Sequence, residues 1–221
     1  FLVSQNGPDN RNIDIDVVGY DTKMAEQRAM GRANWKGSGD VDSETSAMAT
    51  LKDATEFTGY TETSHSATIV ALFDKTGTTV STLHDAGSVI LDRTPFYGES
   101  GGQVGDSGTL RIGEHVIVVK DTQKPTPNIV EHQIETPSTP LSVGQIVVAS
   151  IALTSRLQSR RNHTATHLLH SALRKVLGNH VTQKGSLVTP DRLRFDLAHH
   201  KPITTTELTE IQRLVQQEIE N

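Results

Sequence analysis

The amino-acid sequence predicts an α+β protein: an N-terminal helix, a small antiparallel β-barrel, and then an incomplete α+β domain. Three observations carry the prediction. Helical periodicity is confined to residues 21–35 and to two stretches after residue 154. Between Phe57 and Ile151 the pattern changes to short β-branched runs separated by Gly, Pro, Asn or Asp, the mark of successive strands joined by turns. No helical stretch interrupts these runs, so the strands pair with one another, and closing the sheet removes its exposed edges. The predicted divisions are a helical connector over 1–54, the barrel over 55–154 and the last domain over 155–221.

Each element has a local reason. "DTKMAEQRAMGRANW" (21–35) is a helix opened by Asp21 as N-cap and broken by "KGSGD"; "VDSETSAMATLKDA" (41–54) is a weak connector or a short helix. The strands are "SATIVALF", "GSVILDRT", "HVIVVKD", "NIVEHQIE" and "QIVVASI". Residues 159–177 then form a helix that Gly178 ends in a left-handed conformation. "KGSLVTPDRLRFDLA" is a β-hairpin turning at "TPDR", and "TTTELTEIQRLVQQEIE" is a helix in which Thr204 and Glu207 fit a capping box.

Composition narrows the class of protein. No apolar run approaches the roughly 18 residues of a membrane helix, and no secretory pattern opens the chain. The absence of cysteine excludes a disulfide scaffold and agrees with a cytoplasmic location. The chain opens on "FLVSQNG" without methionine and stops inside an apparent helix, as expected for an internal piece of something longer. The net charge of −5 hides an asymmetry: Ser155–Arg194 holds eight basic residues (Arg156, Arg160, Arg161, Arg174, Lys175, Lys184, Arg192, Arg194) against Asp191 alone. A local +7 in an otherwise acidic chain points to an anionic partner such as RNA, or else to a solvated basic face.

The chemistry concentrates in "RRNHTATHLLHSALRKVLG" (160–178). On a helix His163, His167, His170 and Arg174 share one stripe about 60° wide, with Ala165, Leu169, Ala172, Leu173 and Val176 roughly opposite. Imidazoles at i and i+4 can reach one zinc ion at about 2.0–2.1 Å. Two ligands do not complete a zinc site, and His170 is a turn too far to converge easily. Spacing alone therefore leaves open both half of a metal site and a plain polar face.

Longer motifs add a resemblance. "NHTATHLLHSALRKVLGNHVTQKGSLV" followed by "LRFDL" resembles the editing domain of the alanyl-tRNA synthetase family, and "FYGESGGQVGDSG" (96–108) resembles the glycine-rich signature of its barrel. "GYDTKMAEQRAMGRANWKGSG" resembles the segment joining the tRNA-recognition part to that barrel. The three occur in the family's order and span essentially the whole chain. The resemblance implies that His163 and His167 are the first two zinc ligands, and that the other two, a cysteine and a histidine, lie beyond the C-terminus. It implies hydrolysis of mischarged Ser-tRNA(Ala) and Gly-tRNA(Ala), with ATP and Mg serving the parent ligase upstream of this chain.

The same resemblance places Gln183 in the lining of the editing pocket and suggests Thr164 as a group beside the ligands, whereas Thr166 is expected on the helix surface. Arg160, Arg161, Lys184, Arg192 and Arg194 become candidates for binding tRNA(Ala). The "GESGGQVGDSG" loop is either a phosphate cradle or a barrel turn. Taken alone, the chain is expected to be inactive, and any homo-oligomer of the parent to form through regions outside it. A non-catalytic RNA-docking module is the rival reading. If the basic block faces tRNA, binding weakens steeply with salt. Arg160→Ala with Arg161→Ala should then flatten the slope of log K against log salt by about 2, and Lys23→Ala with Arg28→Ala by clearly less. Filter binding across a salt series measures both, and equal slopes would remove the block as the main contact.

Overall fold

The computed structural model describes Leu51 and residues 55–220. The helix expected at 21–35 lies outside the described residues, as does the connector at 41–54 apart from Leu51. The elements are β1 (Glu56–Phe57), β2 (Ser64–Asp74), β3 (Thr79–Val80), β4 (Thr82–Leu83), β5 (Gly87–Leu91), β6 (Arg93–Thr94) and β7 (Gly108–Ile112). There follow β8 (His115–Thr126), β9 (Ile129–Ile134), β10 (Leu141–Ser142), β11 (Ile146–Ile151), α1 (Leu153–Leu177), β12 (Thr182–Val188), β13 (Leu193–Ala198) and α2 (Thr205–Glu220). The α+β class and the barrel are as the sequence predicts. No described helix is long and apolar enough to cross a membrane.

Six antiparallel strands close in the order β11-β7-β8-β9-β5-β2, with β2 returning to pair β11. Strand β2 makes the corner. Its first half pairs β11 from Ser64 to Thr68, and its second half pairs β5, with the register shifting between Ile69 and Ala71. Such an irregularity bends a strand and lets it serve two neighbours. Alternation then fills the barrel: Ile117 and Val119 from β8, and Val147, Ala149 and Ile151 from β11, meet Ile69, Val89, Leu91, Phe96 and Leu110. Strand β7, "GTLRI", is absent from the sequence prediction because only Leu110 within it is buried, which leaves no apolar run to read.

One polar group sits wholly inside this apolar filling. The Nδ1–H of His132 donates to Val89 O at 2.9 Å, and the Thr94 hydroxyl donates to Nε2 at 2.7 Å. The Phe96 amide donates to that hydroxyl oxygen at 3.1 Å, so every polar atom of the trio is satisfied. Burial pushes the imidazole down to about 4 against an ordinary 6.5.

The helix after the barrel starts earlier than the sequence indicates, at Leu153 instead of residue 159. "LTSRLQSR" has no side-chain N-cap to announce it; the barrel supplies the anchor instead, with Ala152 N–H donating to Ser107 O at 2.8 Å. Gly178 does end the helix at positive φ, but at φ 113° and ψ 164° it is extended and not in the left-handed helical well. The hairpin turns where expected, Thr189 N–H donating to Arg192 O at 2.9 Å. The capping box forms: Glu207 accepts from the amide and hydroxyl of Thr204, both at 2.8 Å, and these bonds with Lys201 lower its carboxyl to about 2. A second core of Ala172, Leu173, Val181, Ile211 and Leu214 joins α1, the hairpin and α2.

His132 makes the barrel acid-sensitive. Above pH 6.5 the ring is neutral folded or unfolded, and stability does not depend on it. As pH falls from 6.5 to 4 only the unfolded chain takes up the proton, and about 3 kcal/mol of stability is lost. His132→Gln should be less stable at pH 7, and its further loss between pH 7 and 4 should be smaller than wild type by about that amount. Urea unfolding at several pH values measures it; parallel profiles would refute the assignment.

Candidate metal centre and its framework

The "FYGESGGQVGDSG" loop leaves the barrel and lies across the first turns of α1. Its last acidic residue, Asp106, meets Arg156, and both side chains are buried. Arg156 Nε lies 3.0 Å and 2.9 Å from the two carboxylate oxygens, and the guanidinium also donates to Gly59 O at 3.0 Å and Pro95 O at 2.8 Å. Asp106 accepts in addition from the amide of Tyr97 at 2.8 Å. A buried pair keeps its charge only when lone pairs and protons are matched in this way. Arg156 therefore leaves the basic block: it is a fastening, not a surface charge.

Five of the loop's amides are engaged within the fold. Glu99, Ser100, Gln103, Val104 and Asp106 donate to Thr122 O, Gln103 O, Ser100 O, Val188 O and Tyr97 O. These bonds fold the loop on itself and tie it to β8 and β12, as the barrel-turn reading requires. Its glycines have packing reasons: a Cβ on Gly105 would stand 1.9 Å from Thr122 O, and one on Gly102, at φ 85°, 2.5 Å from Ser186 O. Gly102 accepts from Val188 N–H at 2.7 Å, so the loop runs along β12.

Gln103, from the same loop, faces the histidines. Its Oε1 accepts from His163 Nδ1–H at 2.7 Å. A donor at Nδ1 leaves Nε2 with its lone pair, the form of imidazole that binds a metal. Desolvation, and then the neighbouring His167, hold His163 below its ordinary pKa, so it is neutral. The His163 and His167 rings stack with centroids 5.1 Å apart, and His167 is exposed. His170 turns instead onto Phe195 of β13, at 5.1 Å. The stripe is thus divided: His163 faces the barrel loop, His167 solvent and His170 the hairpin. Gln103 was missed in the sequence, although its place in "GGQVGDSG" was the available signal.

Neighbouring residues brace the pair. Asn162 donates from Nδ2 to Thr189 O at 2.8 Å and Pro190 O at 3.2 Å, pinning the hairpin turn to the helix. Thr166 is buried, with its hydroxyl donating to Asn162 O at 2.8 Å, which corrects the expectation of a surface position. Thr164 is exposed and donates to Arg160 O at 3.1 Å. Gln183 is exposed near the start of β12, whereas Gln103 bridges Val188 at its end; about 16 Å of strand separates the two positions. The structure does not bring Gln183 against the His163–Gln103 contact.

The remaining basic residues are spread over α1, the hairpin turn and the hairpin strands. Arg160 and Arg161 are exposed on a flank of α1 that also carries Leu157, Thr164 and Leu168, lining a cleft closed on its far side by Glu218 and Ile219 of α2. Arg192 is exposed in the turn that Asn162 holds. Lys184 is exposed at the irregular register of β12, and Arg194 lies 3.2 Å from Asp196 on β13.

Comparison with known proteins agrees with this architecture. Residues 5–154 match the family described as tRNA synthetases class II (A), and the chain belongs to that family. Its relatives include the alanine–tRNA ligases of Acidithiobacillus ferridurans, 45% identical over 215 residues, and of Acidovorax sp. (strain JS42), 44% over 211. That of Mesorhizobium japonicum is 42% identical over 216 residues. These alignments take in 95–96% of this chain but 24% of each relative, so the chain spans about a quarter of their length.

The tautomer is measurable. Long-range ¹H–¹⁵N spectra of the histidine rings should show His163 protonated at Nδ1 at pH 7, and Gln103→Leu should shift it toward the Nε2–H form that isolated imidazoles favour. An Nε2–H ring in the unsubstituted chain would refute the contact.

Proposed function

We propose that this chain carries two ligands and the supporting framework of a zinc-dependent editing site, which hydrolyses Ser-tRNA(Ala) and Gly-tRNA(Ala) in an alanine–tRNA ligase of the cytoplasm. The observation that carries the proposal is the His163–Gln103 hydrogen bond, which fixes one imidazole with Nε2 available beside a second imidazole at i+4. A merely polar helix face needs no such orienting partner. The 45% identity to an alanine–tRNA ligase supplies the substrate class.

The need for such a site is physical. A pocket for alanine cannot strongly reject glycine, since one methyl group is worth only about 1–3 kcal/mol, and a small pocket excludes serine's hydroxyl little better. A second, hydrolytic site restores accuracy. His163 and His167 fit zinc in ligand type and helical spacing, and further ligands must come from outside the described residues. Bound zinc would supply Lewis acidity or an activated water. Gln103 holds the first ligand's tautomer, Asn162 holds the helix against the hairpin turn, and Gln183 and Thr164 offer polar groups to the aminoacylated tRNA end. Arg160, Arg161, Lys184, Arg192 and Arg194 would meet tRNA phosphates. Alanine ligation with ATP and Mg would belong to other parts of the enzyme.

In a full-length alanine–tRNA ligase carrying these residues, His163→Ala or His167→Ala should abolish deacylation of Ser-tRNA(Ala) and leave alanine activation within about twofold. Gln103→Leu should lower deacylation about 10–100-fold, as expected when the partner orienting a metal ligand is removed. Gln183→His should impair editing without unfolding. Normal clearance of Ser-tRNA(Ala) by both histidine variants would overturn the hydrolytic reading in favour of an RNA-docking module.

A further inference from the structure

A second group of histidines lies at the other end of α1. His180 follows the Gly178 turn, and His199 and His200 follow β13. The pairing of Thr182 with Ala198 closes the open end of the hairpin and brings the two segments together. One ring nitrogen from each of the three histidines lies within 4.8 Å of the others. The ring centroids are 5.1 Å apart for His180–His199 and 4.8 Å for each pair with His200. From His163 to Gly178 alone the helix axis runs about 22 Å, so this cluster is separate from the proposed editing centre.

From this juxtaposition we infer that His180, His199 and His200 form a binding site for a divalent first-row transition ion such as zinc. His180 Nε2 and His199 Nδ1 are 2.9 Å apart and share one proton. Two nitrogens on a tetrahedral zinc at about 2.0–2.1 Å stand roughly 3.3 Å apart, so an ion replaces that proton with little movement. The other ring nitrogen of His199, Nε2, is buried without a hydrogen-bond partner among the described residues, so the bond to His180 through Nδ1 is the one that orients the ring. An all-imidazole donor set suits zinc, copper or nickel over magnesium or calcium, which take oxygen ligands. His180 and His200 are exposed, which leaves an open coordination position to water or a fourth ligand.

Occupancy would clamp the junction between α1 and β12 to the junction between β13 and α2. The second junction already carries Lys201, whose ammonium lies 3.1 Å from Glu207 of the α2 capping box. A metal here therefore fixes where α2 enters and stabilises the α1–hairpin–α2 core by an amount that grows with the logarithm of its concentration relative to Kd.

The test titrates Zn²⁺ into the chain carrying His163→Ala and His167→Ala, in competition with a chromogenic chelator. One ion should bind per chain, and adding His180→Gln or His199→Gln should weaken binding at least about tenfold. Metal-free melting temperatures show whether each variant is folded. Independently of those variants, Zn²⁺ added to the unsubstituted chain should shift the ring resonances of His180, His199 and His200 together and raise its melting temperature. Failure of the His163→Ala, His167→Ala chain to bind Zn²⁺ saturably would overturn the proposal. Binding unchanged by His180→Gln, or ring shifts confined to His163 and His167, would do the same. The editing proposal is judged by deacylation and is untouched by either result.

Discussion

Everything beyond the barrel depends on how Arg156 is held by Asp106. An ion pair removed from water is costly unless each remaining proton and lone pair is matched. Here Gly59 O, Pro95 O and the Tyr97 amide do the matching. Loss of either partner would strand the other charge, at about 3–5 kcal/mol. Because Asp106 belongs to the glycine-rich loop and Arg156 to the first turn of α1, the pair sets both where that loop rests and where the helix begins. The position of His163 two turns later follows from it, as does the approach of Gln103.

The helix stripe that looks uniform in the sequence is therefore put to three uses. His163 is oriented by the barrel loop, His167 remains available to a ligand, and His170 packs on the hairpin. The glycines of the barrel signature are explained by this arrangement: Gly102 and Gly105 allow the loop to pass against β12 and β8 with Gln103 aimed across the gap. The loop gives five of its amides to protein carbonyls and contributes one side chain, Gln103, to the histidine pair.

The sequence made legible whatever rests on local periodicity. The alternation of β8 and β11, the "TPDR" turn, and the reciprocal bonds of Thr204 and Glu207 follow from neighbours a few residues apart. Strand β7 did not, because one buried leucine carries no pattern. The start of α1 did not either, since its anchor is a carbonyl of the barrel. Arg156 could be counted as a charge, but its burial depends on Asp106, fifty residues away. The candidate site divides in the same way. His163 and His167 are visible as an i, i+4 pair, whereas Gln103, sixty residues earlier, becomes a neighbour only through folding. His180, His199 and His200 form a cluster only after the hairpin brings its ends together.

Closure of the barrel has a consequence for how the chain is made. Ser64 and Ser150 meet across the closing β2–β11 seam, 86 residues apart. At a synthesis rate of about 5–20 residues per second, β2 waits roughly 4–17 s for that partner to be translated. Until then one side of a long apolar strand has no ladder, the kind of exposed edge that invites pairing with another chain. Strand β11 leads within two residues into α1, so the seam closes just before Arg156 arrives to lock the loop beside it. The order of the strands along the gene thus makes the last barrel strand and its fastening consecutive events on the ribosome, and shortens the interval in which a closed but unfastened barrel exists.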